Sequence, residues 1–358
     1  MTEEMNDMDI IVTEPEAPDP RAIEEEKRSM RRCFSRCGWS VFVLTAAMLA
    51  ISLILGIVIG VLEETGVKAT DFYYKYLMIF NEVLIAVSIL LGMIVLVGMP
   101  KTVPEHKKMS LKSFLAVLCI CFCIGAVGNV IGNIWLTVWN GITGNDVTNE
   151  LAEILASISP WQMILCTAVL APILEELFFR KLLIDRMNKY GELAAIVISA
   201  LLFGLFHQNF SQFFYAFGLG LVFGYVYCRT GSYLLVTLFH MVFNFVSGVL
   251  PTLLSEKVLA FADEIVELTE TELVEMLPTL VGDYGVPLLL YFLYLMAMGA
   301  LNIAGFIILI INFKKINVKP SGSVLTAAEQ RKSAVINVGM IVAGVALIAL
   351  MIVSLFPQ

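Results

Sequence analysis

The sequence predicts an all-α fold, a polytopic bundle of about nine transmembrane helices. Three observations predict it: the composition, the recurrence of apolar runs near the length of a bilayer crossing, and a lopsided placement of basic residues. Of 358 residues, 59% are hydrophobic and 15% charged, and the mean hydropathy is +0.85. A soluble domain carries about 45–50% apolar and about 25% charged residues. The apolar excess here is too large for an internal core and must face lipid.

Residues 1–38 read as a disordered acidic tail, polar to residue 26, followed by a basic juxtamembrane segment with Lys27, Arg28, Arg31, Arg32 and Arg36. The apolar run that follows is too long and starts too late for a cleavable signal peptide. Spans are expected at 39–62, 77–99, 113–139, 161–180, 191–208, 211–228, 232–254, 284–313 and 335–356, each near the ~20 residues a helix needs to cross. The first two, within 39–112, read as accessory helices. Residues 113–254 form the core that carries the candidate site, and 284–358 hold two C-terminal helices. Between them, 255–283 reads as an outer loop with eight acidic residues and one lysine, containing a short amphipathic helix around Val258–Val266.

With the N-terminus in the cytosol, the inner segments collect 20 Lys and Arg and the outer segments 3, as the positive-inside rule requires. The chain therefore reads as a multi-pass protein, of the plasma membrane in the simplest case, with membrane lipid as its surroundings. A net charge of −8 and the lack of a basic patch away from a membrane flank argue against nucleic acid as a partner. None of the seven cysteines falls in an outer segment, so no disulfide framework is implied.

Inside the fourth span stand Glu175, Glu176 and Arg180. Facing lipid, they would oppose insertion by roughly 8–10 kcal/mol, so they face the protein interior or a water-filled cavity. Two of the three histidines, His207 and His240, also lie in apolar spans, where ionisable groups are usually functional. Glu175 lies 16 residues before Gly191 and His207 lies 16 after it, so an antiparallel hairpin brings them level. His240 enters its span far enough to reach a similar depth, about 13 Å in. Glu176 and Arg180 are i,i+4 neighbours and can pair; Glu175 has no local basic partner and is free to address His207. His240 and Asn244 share a face. Pro172 loosens the helix just ahead of the carboxylates. A carboxylate and a histidine around one water, opposite a histidine and an asparagine, make a set suited to amide hydrolysis.

Glu-Glu-x-x-x-Arg at 175–180, Phe-x-x-x-His at 203–207 and His-x-x-x-Asn at 240–244 resemble the three motifs of the CAAX protease and bacteriocin-processing family. That family is also called the Abi or type II CAAX prenyl endopeptidase family, and its members are intramembrane proteases. The resemblance covers about residues 115–250. It implies Glu175 and His207 as the water-activating pair, His240 and Asn244 as the oxyanion side, and Glu176 and Arg180 in support, with a membrane-anchored or amphipathic peptide or protein as substrate. No cofactor is firmly implied. If a metal took part it would be zinc, on Glu175, His207 and His240, although no His-Glu-x-x-His helix is present. Two other readings compete with the peptidase: a non-catalytic protein for bacteriocin immunity or peptide export, and a proton-coupled transporter. The transporter lacks the broken span pair expected of related halves.

Overall fold

The structure, a computed structural model, describes residues 19–145, 147–148, 158–266 and 269–356. It is helical along its length. The first helix, α1 (Pro20–Glu64), runs unbroken for 45 residues. Asp19 accepts from the Arg21 backbone N–H at 2.8 Å, and Pro20 supplies a φ already suited to a first helical turn. The tail expected to be unstructured through residue 26 is therefore helical from Pro20 onward; residues 1–18 lie outside the described part. The early start has a cause further along the same face, where Met30, Phe34 and Cys37 are buried.

After a short helix over Ala69–Lys75 come α2 (Leu77–Val95) and α3 (Leu111–Thr143), the latter capped by Ser110 and ended by Gly144 in the left-handed region at φ 73°. Next are α4 (Pro160–Tyr190), α5 (Glu192–Phe206), α6 (Phe210–Thr230) and α7 (Tyr233–Val266). The chain continues with α8 (Glu270–Asn312), then α9 (Ala327–Val335) and α10 (Val338–Val353), which meet at 60°.

Seven of these helices are long and apolar enough to cross a membrane, or eight if α9 and α10 form one bent span. The ninth expected span, 191–208, is α5, whose 15 residues give about 22 Å, short of a bilayer core about 30 Å thick. The acidic segment 255–283 is not a loop. The α7 helix continues to Val266, and α8 starts at Glu270 behind a Thr269–Glu272 capping box. Its expected amphipathic stretch is the last part of α7.

Contacts between connections sort the chain into two faces. On one, Lys27 pairs with Glu329 at 2.7 Å and Arg229 pairs with Glu192. There the Lys107 N–H donates to Thr230 O at 2.8 Å and the Lys319 N–H to Glu192 at 2.7 Å. On the other, Gln162 Nε2 donates to Lys75 O at 2.8 Å, and Trp139 Nε1 reaches Leu355 O at 3.4 Å. Segments assigned to the inner side thus meet one another, as do those assigned to the outer side. Helices approach closely where side chains vanish: a Cβ on Gly128 or Gly132 of α3 would overlap the α6 backbone at Tyr215 and Ser211. Such small-residue contacts are the usual way helices associate in lipid.

Candidate active site

The α4 helix is not a plain α-helix. It is π-helical over Met163–Leu170, α-helical over Ala171–Glu176, and π-helical again over Leu177–Ile184. In the first π stretch each N–H reaches back five residues, as Ala171 N–H does to Cys166 O. The next bond in that register would run from residue 172 to Thr167 O, but Pro172 has no N–H. The Asn244 side chain fills the gap: its Nδ2 donates to Thr167 O at 2.9 Å. Asn244 thus completes the backbone bonding of α4, which hydrocarbon surroundings demand, while Tyr233 Oη adds a second donor, at 2.7 Å, to Ile173 O, which already accepts from the Leu177 N–H. A further π segment, Phe245–Val249 within α7, directly follows Asn244.

Glu176 and Arg180 are both fully buried, with Arg180 Nε 2.9 Å from Glu176 Oε2. Arg180 Nη2 donates to Glu176 Oε1 at 3.3 Å and Nη1 to Ser199 Oγ at 3.4 Å. Ser199 is held in turn by its own bond to Phe179 O at 2.7 Å. The guanidinium carbon sits 4.6 Å from the Phe203 ring centre and 5.8 Å from that of Phe223. Cation–π contact of this kind supports a buried charge that has lost its water.

His240 joins this pair to Glu175. Its Nδ1 lies 2.9 Å from Glu176 Oε1, and its Nε2 lies 3.7 Å from Glu175 Oε2. A carboxylate only accepts, so Nδ1 carries a proton. The ring is packed against Phe203 and Phe223, with centroids at 5.9 and 5.2 Å. Glu175 is the least enclosed of the three, its side chain 12% exposed.

His207 terminates α5. Its backbone N–H bonds to Gly204 O, three residues back, which leaves Phe203 O free at the helix end, and the His207 ring takes it through Nδ1 at 2.9 Å. A carbonyl can only accept, so Nδ1 is protonated. In the neutral ring Nε2 then keeps its lone pair.

Five of the expected residues lie on the helices predicted to carry them and His207 caps the end of α5; four of the six, Glu175, Glu176, Arg180 and His240, are joined in one cluster. Two expectations change. The ionic neighbour of Glu175 is His240, and no Glu175–His207 contact falls within 4.0 Å. Asn244 does not present its amide to an open position alone, since one N–H is spent on Thr167 O. The first difference follows from where the two rings stand: His207 caps α5 with its ring bonded to Phe203 O, while His240 on α7 lies between the two carboxyl groups. For zinc, Glu175, His207 and His240 do not converge; among the described residues no three His, Cys, Asp or Glu side chains form a metal-ligating group. The arrangement does not fit the metal.

Sequence reasoning passed over Ser199 and Phe223, which support Arg180, and Glu82. Glu82 on α2 is 4% exposed, and its Oε2 has no hydrogen-bond partner among the described residues. Two anchors set the register of α2 beside α4: Gln162 bonds Lys75 O, and a Cβ on Gly92 would lie 3.4 Å from Phe178. Glu82 therefore stands level with Ala168, beside Thr167 and about two turns from Glu175. An acid inside an apolar run, the signal that picked out Glu175, marks Glu82 equally.

No curated protein and no solved structure matches the chain. Residues 157–246, about a quarter of the chain and the stretch that holds every residue of the cluster, match the family model of the type II CAAX prenyl endopeptidase Rce1-like domain.

Proposed function

We propose that this integral membrane protein is an intramembrane endopeptidase that hydrolyses a peptide bond near the C-terminus of a membrane-anchored or amphipathic peptide. One observation carries the reading: a single buried imidazole, His240, is held between two adjacent carboxyl groups at 2.9 and 3.7 Å inside the membrane. A purely structural ion pair needs Glu176 and Arg180 alone. Glu175 and the free Nε2 of His207 are surplus to it and supply a base and an acceptor for one water. The match over 157–246 points to the same chemistry.

In this reading a water lies between the Glu175 carboxylate and His207 Nε2. Glu175 takes a proton as the water oxygen attacks the substrate carbonyl carbon. His240 as imidazolium, its Nδ1–H fixed on Glu176, offers Nε2–H to the developing oxyanion, joined by the second amide N–H of Asn244. The proton on Glu175 then passes to the amide nitrogen, the C–N bond breaks, and a carboxylic acid and an amine leave. Glu176 and Arg180 position His240 and do not touch substrate. The basic face is toward the cytosol, in the plasma membrane, so substrate enters from that side.

The full chain in liposomes, given a fluorogenic peptide with a prenylated C-terminal cysteine motif, tests this. Glu175→Gln should lower turnover on the order of 10²–10⁴-fold, the usual contribution of a general base, while peptide binding persists. Undiminished cleavage by that variant overturns the mechanism. Binding without cleavage by the parent protein returns the case to the non-catalytic peptide-binding or export reading.

A further inference from the structure

A cavity away from the Glu175 cluster shares no residue with it. It has a volume of about 820 Å³ and sits between the first turns of α1, the Met99–Pro100 connection and the end of α4. Its wall carries Arg21, Arg28, Arg32, Arg36, Arg186 and Lys189 against two acids, Glu24 and Glu25. Among the described residues the only ion pair in this wall is Arg28 with Glu24, at 3.3 Å. Arg36 is turned to backbone, donating to Val95 O and Val97 O at 2.7–3.1 Å. Arg21, Arg32, Arg186 and Lys189 meet no described carboxylate within 4.0 Å.

Arg186 is the informative member. It is only 6% exposed, yet among the described residues its contacts are two backbone carbonyls, Leu182 O at 2.7 Å and Leu96 O at 3.3 Å, and its Nε meets no acceptor. A buried guanidinium without an anion is costly unless something brings one. Ser29 and Tyr190, both in the cavity wall, are hydrogen-bonded to each other at 2.7 Å. Several guanidinium groups lining one concave site suit the oxygens of a phosphate group.

We propose that this cavity binds the phosphate-bearing headgroup of an anionic lipid, which bridges α1 and α4. Its level in the membrane favours a lipid over a soluble phosphate. The apolar run of α1 begins at Trp39, one turn beyond Arg36, and Arg36 holds the carbonyls at the end of α2. The cavity therefore opens where headgroups lie, and basic pockets between transmembrane helices at this level are a recognised lipid-headgroup arrangement. Its volume suits a headgroup with its glycerol.

Binding would be measured on the full chain in phosphatidylcholine nanodiscs, titrated with phosphatidic acid or, separately, with inorganic phosphate. The double variant Arg32→Gln/Lys189→Gln changes two exposed cavity residues and spares the buried Arg186. The control Lys314→Gln/Lys315→Gln removes the same charge from exposed positions outside the cavity. Phosphatidic acid affinity should fall about 30-fold in the cavity variant, roughly fivefold per cation lost, and less than about threefold in the control. Equal losses in both would mean diffuse attraction, and no binding by the parent chain would mean no site; either overturns the proposal. Inorganic phosphate binding as tightly as phosphatidic acid would replace the lipid by a soluble anion and overturn it as well. Peptide cleavage is not read in this experiment, so its outcome is separable from that of the proposed function.

Discussion

Arg180 has no route to water, and its charge depends on Glu176, Ser199 and two aromatic rings. Removing one partner strands the other. Glu176→Gln and Arg180→Ala should each destabilise the folded protein by about 3–5 kcal/mol, seen as lost yield and a lower thermal midpoint in detergent; unchanged yield and midpoint in both would refute the pairing. Asn244→Ala should cost about 1–3 kcal/mol by leaving Thr167 O without a donor, and should also lower turnover by about 10²–10³ if its second N–H faces the oxyanion. At this scale the sequence was informative about which side chains matter and poor on who meets whom. The i,i+4 spacing of Glu176 and Arg180 was enough to pair them. The choice of His240 by Glu176 was not legible, because it is a contact between two helices that no local residue pattern announces.

Between elements, Pro172 and Asn244 form one device spread over two helices. Pro172→Ala restores an N–H at the position where Thr167 O needs one. The double variant Pro172→Ala/Asn244→Ala should therefore recover most of the stability lost in Asn244→Ala, while turnover stays low; failure of the thermal midpoint to recover would show that Asn244 does not stand in for the missing backbone donor. The docking of α10 on α1 rests on another close approach, where a Cβ on Gly38 or Gly339 would overlap the opposite backbone. Gly339→Leu should separate the two helices at a cost of about 1–3 kcal/mol or more, measured by thermal unfolding. The existence of the long apolar helices was legible, since apolar periodicity and length suffice, but the short helix Ala69–Lys75 and α9 were not. The starts of α1 and α8 were not, because polar, acidic stretches can be loop or helix, and a cap such as Asp19 or Thr269 decides only once the helix has something to pack on.

For the molecule as a whole, the segregation of connections onto two faces predicts a labelling pattern. Single cysteines at positions 20 and 105 should react from one side of the membrane and those at 145 and 270 from the other; reaction of 105 and 145 from the same side would break the topology. The basic balance agrees with this sorting because it sums over many residues and survives a misplaced boundary, whereas the count of nine is not confirmed, α5 being shorter than a full crossing. The repair of α4 by α7 also says something about the order of assembly. A chain emerging from synthesis inserts α4 long before α7 exists. Until then Thr167 O has no donor and Glu176 has no His240, so the half-made protein holds the carboxylates without the geometry that would put them to use. The seventh helix acts as an arming step, and a truncated product would sit in the membrane inert.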